Sequence, residues 1–385
     1  MFNWALINDN ISTNDRQVLS EFVLTTKRFT NGPKVKEFEK VWSDWLGVKY
    51  SVMVGSGAAA NYITTSIVRE LSGPEGEIIV PPLGWVSDVS SVINTGFTPV
   101  FVDVDLDTLA ISPEKVKRAI TNKTKAIVLV HALGFNGIND ELIKIAKDHN
   151  LMLIEDCCES HGATYKGKRV GGHSDMSCFS FYFGHHMTTI EGGMVCTNNF
   201  EIYELARMFR SHGMTREASK ETQEKYQKED VNPLFTFAVP GYNMRSTEIN
   251  AVLGLEQIKR LDDNIDARRR NLIVWLENLD SELYYVDFYL EGSSNYALPL
   301  VLNRGNKNIK QVCQILEEEK VEYRLGTAGG GNQARQPYLE RYEYKVSGEL
   351  TNTNFIHDHG LYIGNHPELE IEQIKLLCKR LNNVK

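Results

Sequence analysis

The strongest constraint on the fold is a regular alternation, through about residue 245, between short apolar runs and amphipathic segments. Four of the runs are EIIVPP at 77–82, PVFVDV at 99–104, KAIVLV at 125–130 and LMLIED at 151–156. Each run is apolar at successive positions, so both of its faces must be buried, as in a parallel sheet between two layers of helices. The pattern predicts an α/β fold whose ligands bind at the carboxyl ends of the strands.

The amphipathic segments between these runs predict helices at 112–120 and 140–150, with Ser112 as a candidate N-cap of the first. After residue 245 the pattern changes to a helical stretch at 248–279, which leads into a second set of elements. These elements are strands at 295–302 and 360–365 and helices at 307–320 and 368–381.

The two patterns predict two domains. Residues 1–250 would form a large domain with a mostly parallel central sheet, and residues 251–385 a long connecting helix with a small C-terminal α/β domain. The glycine-rich segment TAGGGNQARQ at 327–336 is either a substrate lid or a mobile connection.

Charge and cysteine content exclude several classes of protein. The 385 residues carry a formal net charge of −8 and the basic residues form no run, so we expect no nucleic-acid partner. No apolar stretch is long enough to cross a bilayer, and the first residues lack the regions of a signal peptide, so we expect a cytoplasmic protein without a membrane partner. The six cysteines lack the spacing of zinc ligands and are expected to be reduced, buried thiols, with no metal site.

Two motifs place polar groups where strands end. The segment VMVGSGAAAN at 52–61 reads as strand, glycine turn and helix, a combination that either binds an anion or only turns a sharp corner. The strand at 151–156 ends in Asp156, whose carboxylate suits a protonated pyridine nitrogen, although a carboxylate that caps a following helix fits the sequence equally well.

A third motif, SCFSFYFGHHMTTIEGGMVCTN at 177–198, predicts a strand, a loop with His185 and His186, and a return strand. Adjacent residues on a strand point to opposite faces, so the two histidines are not expected to share a metal ion. A structural role remains open for either of them alone.

Together these motifs resemble the sugar-nucleotide aminotransferase family of fold-type I pyridoxal-phosphate enzymes. The resemblance rests on the glycine turn, on the strand-end Asp with a Glu three residues later, and on the pattern S-F-x-x-x-[K]-x-x-x-x-x-E-G-G. It extends through most of the chain, with GPKVKEFEKVW at 32–42, VPPLGWVSDVSSVINTGFTPVFVDVD at 80–105 and GYNMRSTEINAVLGLEQIKRLDD at 241–263.

The resemblance implies which residues bind the ring of the cofactor, pyridoxal 5′-phosphate or its pyridoxamine form. Asp156 would pair with the pyridine nitrogen and Glu159 would lie beside the 3-hydroxyl. Trp85 would stack on the ring.

The resemblance also implies how the phosphate is held. The backbone of Gly57 and Ala58 and the hydroxyl of Ser180 would bind it, and Asn243 would reach it from a neighbouring subunit of a homodimer. Ala58 stands where a hydroxyl residue is frequent in the family, so one side-chain contact to the phosphate is expected to be missing.

His185 occupies the position at which the family's aminotransferases carry the lysine that binds the cofactor covalently. The chain has no lysine between Lys168 and Lys220, so a shift of register cannot supply one. Imidazole has no primary amine, but it can act as a general base and acid near neutral pH. The site is similar to that of the sugar 3-dehydratase branch, to which SHGMTRE at 211–217 and GLYIGNH at 360–366 also show likeness, so His212 is a further candidate for the site.

This resemblance implies 3-dehydration of a nucleotide-linked 4-keto-6-deoxy sugar in surface-glycan synthesis, with L-glutamate regenerating the cofactor. GDP is the expected nucleotide, while GNQARQPYL at 331–339 keeps CDP open. Residues 211–240 contain no cysteine, so the iron–sulfur cluster of some CDP-sugar relatives is not expected. The alternatives are an aminotransferase that works with histidine and a non-catalytic ligand-binding protein on the same fold.

Overall fold

The computed structural model describes residues 2–305 and 308–384. Its strands are β1 Tyr50–Val54, β2 Glu77–Val80, β3 Thr98–Val102, β4 Thr124–Val130, β5 Met152–Asp156, β6 Thr164–Tyr165, β7 Lys168–Arg169, β8 Met176–Ser180, β9 Gly193–Thr197, β10 Ala297–Val301, β11 Tyr323–Leu325, β12 Lys345–Ser347 and β13 Gly360–Gly364. Its α-helices are α1 Thr13–Thr25, α2 Pro33–Leu46, α3 Gly57–Ser72, α4 Val86–Asn94, α5 Pro113–Ala119, α6 Asp140–Asp148, α7 Phe200–Arg210, α8 Lys220–Tyr226, α9 Glu248–Gln257, α10 Leu261–Asn278, α11 Ile309–Glu318, α12 Thr351–His359 and α13 Ile371–Leu381.

A large sheet forms the centre of the molecule, with the strand order β1-β9-β8-β5-β4-β2-β3-β12. Strand β9 runs against its neighbours β1 and β8, and the other pairings in the sheet are parallel. Ile78 and Val80 join the hydrophobic cluster on one face of the sheet, while Ile79 joins the cluster on the other. The prediction of a mostly parallel sheet, buried on both faces between helices, is confirmed.

The ends of the helices show how local sequence sets the elements. Asn139 caps α6, because its side-chain oxygen accepts from the N–H of Leu142 at 2.9 Å. Ser112 stands at the N-cap position of α5, but its side chain makes no capping hydrogen bond. The helical stretch expected at 248–279 is interrupted by a 3₁₀ turn, Ile258–Arg260, between α9 and α10. The helix expected from residue 307 begins at Ile309, and Lys307 itself lies outside the described residues.

The second set of elements forms a small antiparallel sheet, β10-β13-β11, together with α11, α12 and α13. One segment of this part returns to the large sheet, where β12 pairs in parallel with β3 at its edge. Residues 345–347 thus extend the sheet of the first part, and the division into domains at residues 250 and 251 stays a prediction. Within the described residues, no helix combines the length and the apolar character of a membrane span.

Candidate active site

A cavity of about 710 Å³ opens at the carboxyl ends of the central strands. It brings together residues from distant parts of the chain that the sequence singled out: Gly57, Ala58, Trp85, Asp156, Glu159, Ser180 and His185. Asn243 is exposed and does not line the cavity, although the next residues, Met244 and Arg245, lie against Gly55 and Val54 at the end of β1. The exposed His212 also lies outside the cavity lining.

Helix α3 presents its first residues to the cavity. Ser56 caps it by accepting from the N–H of Ala59 at 3.1 Å, so the amides of Gly57 and Ala58 precede the hydrogen bonds of the helix. A Cβ atom on Gly57 would lie 2.6 Å from Cβ of Ser180 and 2.9 Å from Sγ of Cys158. Glycine therefore lets the helix start approach the Ser180 hydroxyl closely, which forms a cradle suited to an anion.

Asp156 is the last residue of β5 and is buried beside the cavity. Its Oδ1 atom accepts from the N–H of Cys158 at 2.9 Å, which fixes the carboxyl group in a tight turn. The turn leads to β6 at Thr164, so no helix follows for Asp156 to cap, and that interpretation was wrong.

Glu159 projects into the same cavity from the turn after β5. Its Oε2 atom accepts from the N–H of Leu133 at 2.6 Å, and its carboxyl group also bonds to the Tyr296 side chain. Burial raises the pKa of Glu159 to about 7. Near neutral pH this carboxyl group can therefore either donate or accept a proton.

His185 lies in the loop between β8 and β9, and its half-buried ring faces the cavity. Its Nδ1 atom lies 3.2 Å from the carbonyl oxygen of Ser180. Because a carbonyl oxygen can only accept, Nδ1 carries the hydrogen and Nε2 keeps its lone pair. Burial lowers the pKa of His185 to about 4, against the opposing effect of the Ser180 carbonyl and Asp156. The ring is thus a neutral base at physiological pH.

His186 takes a separate, interior position. It is fully buried, and its Nε2 atom lies 3.1 Å from the carbonyl oxygen of Ser294. A different group of possible metal ligands lies behind the strand ends, where ligand atoms of His131, Glu155 and Cys157 are within 4.8 Å of one another. Burial keeps His131 and Cys157 neutral, since it lowers the pKa of His131 to about 3 and raises that of the Cys157 thiol well above its usual range. It also raises the pKa of Glu155 to about 7, so this carboxyl group is only partly ionised near neutral pH.

The sequence did not reveal several residues that line the cavity. Asp88, in the first turn of α4, forms a side-chain hydrogen bond with Asp156. The rings of Tyr296 and Tyr362 lie with their centroids 6.0 Å apart, and Arg324 lines the same cavity. The buried face of α4 also carries Ser87 and Ser91, so the local pattern did not mark Asp88, and the three others come from distant segments that only the fold brings together.

The glycine-rich segment at 327–336 packs as a wall of the cavity. Gly329 and Gly330 line it, and a Cβ atom on Gly329 would lie 2.1 Å from the carbonyl oxygen of Gly84. The side-chain amide of Gln333 donates to the carbonyl oxygens of Gly84 and Gly329 at 3.1 and 3.0 Å. These contacts anchor the segment against the residue that precedes Trp85, so the wall and that aromatic side chain are positioned together.

These groups fit pyridoxal phosphate by their chemistry. The helix start and the Ser180 hydroxyl suit a phosphate, the strand-end Asp156 suits a protonated ring nitrogen, and the exposed Trp85 offers a flat face to the ring. A mostly parallel sheet with this set of groups at its strand ends defines the fold-type I class of pyridoxal-phosphate enzymes.

Comparison with known proteins places the chain more narrowly. It belongs to the DegT/DnrJ/EryC1/StrS aminotransferase family, whose model matches residues 10–382. A GDP-4-keto-6-deoxy-D-mannose 3-dehydratase of Yersinia pseudotuberculosis is 35% identical over 389 residues, which cover 98% of each chain.

Two crystal structures of GDP-4-keto-6-deoxymannose-3-dehydratase are similar to this chain. One holds a trapped PLP-glutamate geminal diamine and is 32% identical, with a TM-score of 0.92 over 98% of this chain and 100% of the other. The other is a histidine-to-asparagine variant with bound GDP-perosamine and is 31% identical, with the same TM-score and the same coverage.

Proposed function

We propose that this chain is a pyridoxamine-phosphate-dependent enzyme that removes the C3 hydroxyl of a GDP-linked 4-keto-6-deoxy sugar, with L-glutamate regenerating the cofactor. The observation that carries the proposal is a neutral imidazole, His185, in the cavity at the family's lysine position. No lysine is among the described residues that line this cavity. The names of the similar dehydratases support the same reaction and the GDP nucleotide.

The cofactor supplies, in its amine form, an amino group for the sugar's 4-keto carbon and a ring that accepts electrons. The residues that would hold it are Asp156 at the ring nitrogen, Glu159 at the 3-hydroxyl, Trp85 on the ring face, and Gly57, Ala58 and Ser180 at the phosphate.

His185 would move the protons of the reaction through a single atom. Since Nδ1 is committed to the Ser180 carbonyl, Nε2 would first accept, as a general base, the proton lost from the carbon that carries the cofactor's amino group. The imidazolium then donates this proton to the C3 hydroxyl, which leaves as water. Between the two steps, the nearby Asp156 would stabilise the positively charged imidazolium of His185 electrostatically.

The whole reaction balances without another oxidant or reductant. The sugar loses its C3 oxygen and gains hydrogen at that carbon, while L-glutamate is oxidised to 2-oxoglutarate and releases ammonia. A lysine in the place of His185 would compete for the cofactor and favour transfer of the amine to the sugar instead.

Mass spectrometry of the products, after incubation with pyridoxal phosphate, L-glutamate and GDP-4-keto-6-deoxymannose, tests this function. We expect a 3-deoxy sugar with ammonia and 2-oxoglutarate, and we expect His185→Asn to abolish the reaction. His149→Asn is the matched control, because His149 is exposed at the end of α6. A stable amino sugar, or dehydration that survives in His185→Asn, would contradict the proposal.

We also propose that the enzyme is a homodimer in which Asn243 completes the phosphate site of the partner. The exposed position of Asn243, outside the lining of its own cavity, supports this arrangement. Mixing inactive His185→Asn and Asn243→Ala subunits should then restore about a quarter of the wild-type activity, because half of the dimers are mixed and each of these has one intact site. No recovery after subunit exchange would argue against shared sites.

A cytoplasmic location is part of the same proposal. All six cysteines are free thiols, as is usual in a reducing compartment. Cell fractionation would test it.

A further inference from the structure

Asp88 is a buried acid that the proposed reaction does not use. It lies in the first turn of α4, three residues after the N-cap Trp85, and only 2% of its surface is exposed. The side-chain amide of Asn61 donates to its Oδ1 atom at 2.9 Å. Its Oδ2 atom faces Gly84, where an added Cβ would lie only 2.8 Å away. Asp88 is therefore held in one orientation by α3 on one side and by the chain before α4 on the other.

The contact that matters is the one with Asp156. The two carboxyl groups are hydrogen-bonded to each other, although both are buried. A hydrogen bond between two carboxyl groups needs a proton on one of them, since two carboxylates can only accept. Asp156 Oδ1 already accepts from a backbone N–H, that of Cys158. Asp88 is the better holder of the proton, because burial and the charges of Asp156 and Glu159 raise its pKa well above its usual range.

The surroundings of Asp88 also favour its protonated form. The titratable groups that act on it or feel its charge are Asp156, Glu159, Cys158, Cys178 and Tyr338. These are acids, thiols and a phenol, so ionisation of Asp88 would add negative charge to a region that already holds it. The N–H of Trp85 and the start of α4 favour the charged form, but they do not outweigh burial and the neighbouring acids.

We propose that Asp88 is a positioning residue that, as the protonated member of a carboxyl pair, fixes Asp156 in the orientation and the charged state needed by the cofactor's ring nitrogen. A hydrogen bond donated to a carboxylate favours the charged form of the group that accepts it. A charged Asp156 would favour a proton on the ring nitrogen, which the electron-accepting role of the ring needs. This inference rests on the proposed role of Asp156 in cofactor binding.

Three variants of the full-length protein test the pair, with binding of pyridoxal phosphate to the dialysed apoprotein measured from pH 6 to pH 9. Asp88→Asn keeps a donor toward Asp156 and an acceptor for Asn61, but it cannot lose a proton. Asp88→Ala removes the donor altogether. Asp105→Asn is the control, because Asp105 is another partly buried acid with a raised pKa, in the chain after β3 and outside the cavity lining.

We expect Asp88→Ala to bind the cofactor about tenfold or more weakly at pH 7, since a hydrogen bond to a charged group is lost. Asp88→Asn and Asp105→Asn should bind it as the wild type does at that pH. At higher pH the wild type should weaken as Asp88 ionises, whereas Asp88→Asn should not. Equal affinity in Asp88→Ala and the wild type would overturn the proposal.

The stability of the apoprotein gives a second readout that needs neither cofactor nor turnover. A group whose pKa is raised in the folded state costs stability as pH rises from its unfolded value toward its folded value. The wild type should therefore become less stable relative to Asp88→Asn as pH rises. If Asp88→Ala fails to fold, parallel pH curves for the wild type and Asp88→Asn would still overturn the proposal. A wild type that binds the cofactor but forms no 3-deoxy sugar would refute the proposed function and leave this test intact.

Discussion

Gly57→Ala should weaken cofactor binding through a steric effect that can be worked out from the structure. The added Cβ would lie 2.6 Å from Cβ of Ser180, whereas carbon atoms in contact prefer about 3.5–4.0 Å. The start of α3 or the end of β8 must therefore move by about 1 Å. A shift of that size would lengthen the hydrogen bonds that the helix amides and the Ser180 hydroxyl offer to a phosphate. One charge-assisted hydrogen bond is worth about 1.5–3 kcal/mol, so we expect affinity to fall by about 10- to 150-fold.

The assay is a fluorescence titration of the apoprotein with pyridoxal phosphate. Gly55→Ala is the control in the same turn, because a Cβ there would make ordinary contacts at 3.7 Å with the carbonyl oxygens of Met244 and Arg245. Adding Ser180→Gly to Gly57→Ala removes the closer of the two clashing atoms and leaves Sγ of Cys158 at 2.9 Å, so the double variant should regain part of the lost thermal stability without regaining cofactor affinity. Equal affinity of Gly57→Ala and Gly55→Ala would refute the reasoning, since it would mean that the phosphate is held elsewhere.

Three further outcomes are expected from other parts of the structure. The His185 ring should titrate near pH 4 in NMR spectra of the histidine-labelled apoprotein, since burial lowers its pKa to about 4; titration near its ordinary value of 6.5 would show that the cavity does not disfavour the charged ring. Ala58→Ser should tighten cofactor binding by about 10-fold or more in the same titration, because the added hydroxyl would donate a hydrogen bond to the charged phosphate; unchanged affinity would place Ala58 away from it. Asp15→Ala should lower the free energy of unfolding by about 2 kcal/mol in urea, because it removes the side-chain partner of Arg260 and a helix cap. The hydrogen bonds from Arg260 and Ser12 outweigh burial and lower the pKa of Asp15, so this difference should be present above its unfolded value of 3.8 and should shrink as pH falls through the folded value.

The sequence predicted the large sheet because burial on both faces leaves a local trace. The run at 77–80 is apolar at each of the positions Ile78, Ile79 and Val80, and the structure divides these between the two faces. The strand β12 left no such trace, since its residues are mostly exposed and its pairing depends on a return from the far end of the chain. The 3₁₀ turn within the long helical stretch was also missed, because Ile258–Arg260 continues the amphipathic pattern of its neighbours.

Some residues of the site could likewise be predicted from local sequence, whereas others depend on tertiary packing. Asp156, Ser180 and His185 were found because strand ends and a family pattern mark them, and the structure gathers them in one cavity. Their roles toward the cofactor stay predictions. Tyr296 and Arg324 could not be found, because their approach to the cavity depends on how the small antiparallel sheet packs against the large one.

The exchange of lysine for histidine changes the electrostatics of the cavity as well as its chemistry. A lysine amine at this depth would need a strongly lowered pKa to be neutral, whereas the imidazole of His185, with a pKa of about 4, is neutral through the physiological range. The burial that keeps it neutral also makes the imidazolium costly, although Asp156 partly offsets that cost. A proton accepted by Nε2 therefore has a strong tendency to leave again, and a departing hydroxyl provides the acceptor. In the proposed reaction, the same burial that weakens His185 as a lasting base would make it an effective acid in the following step.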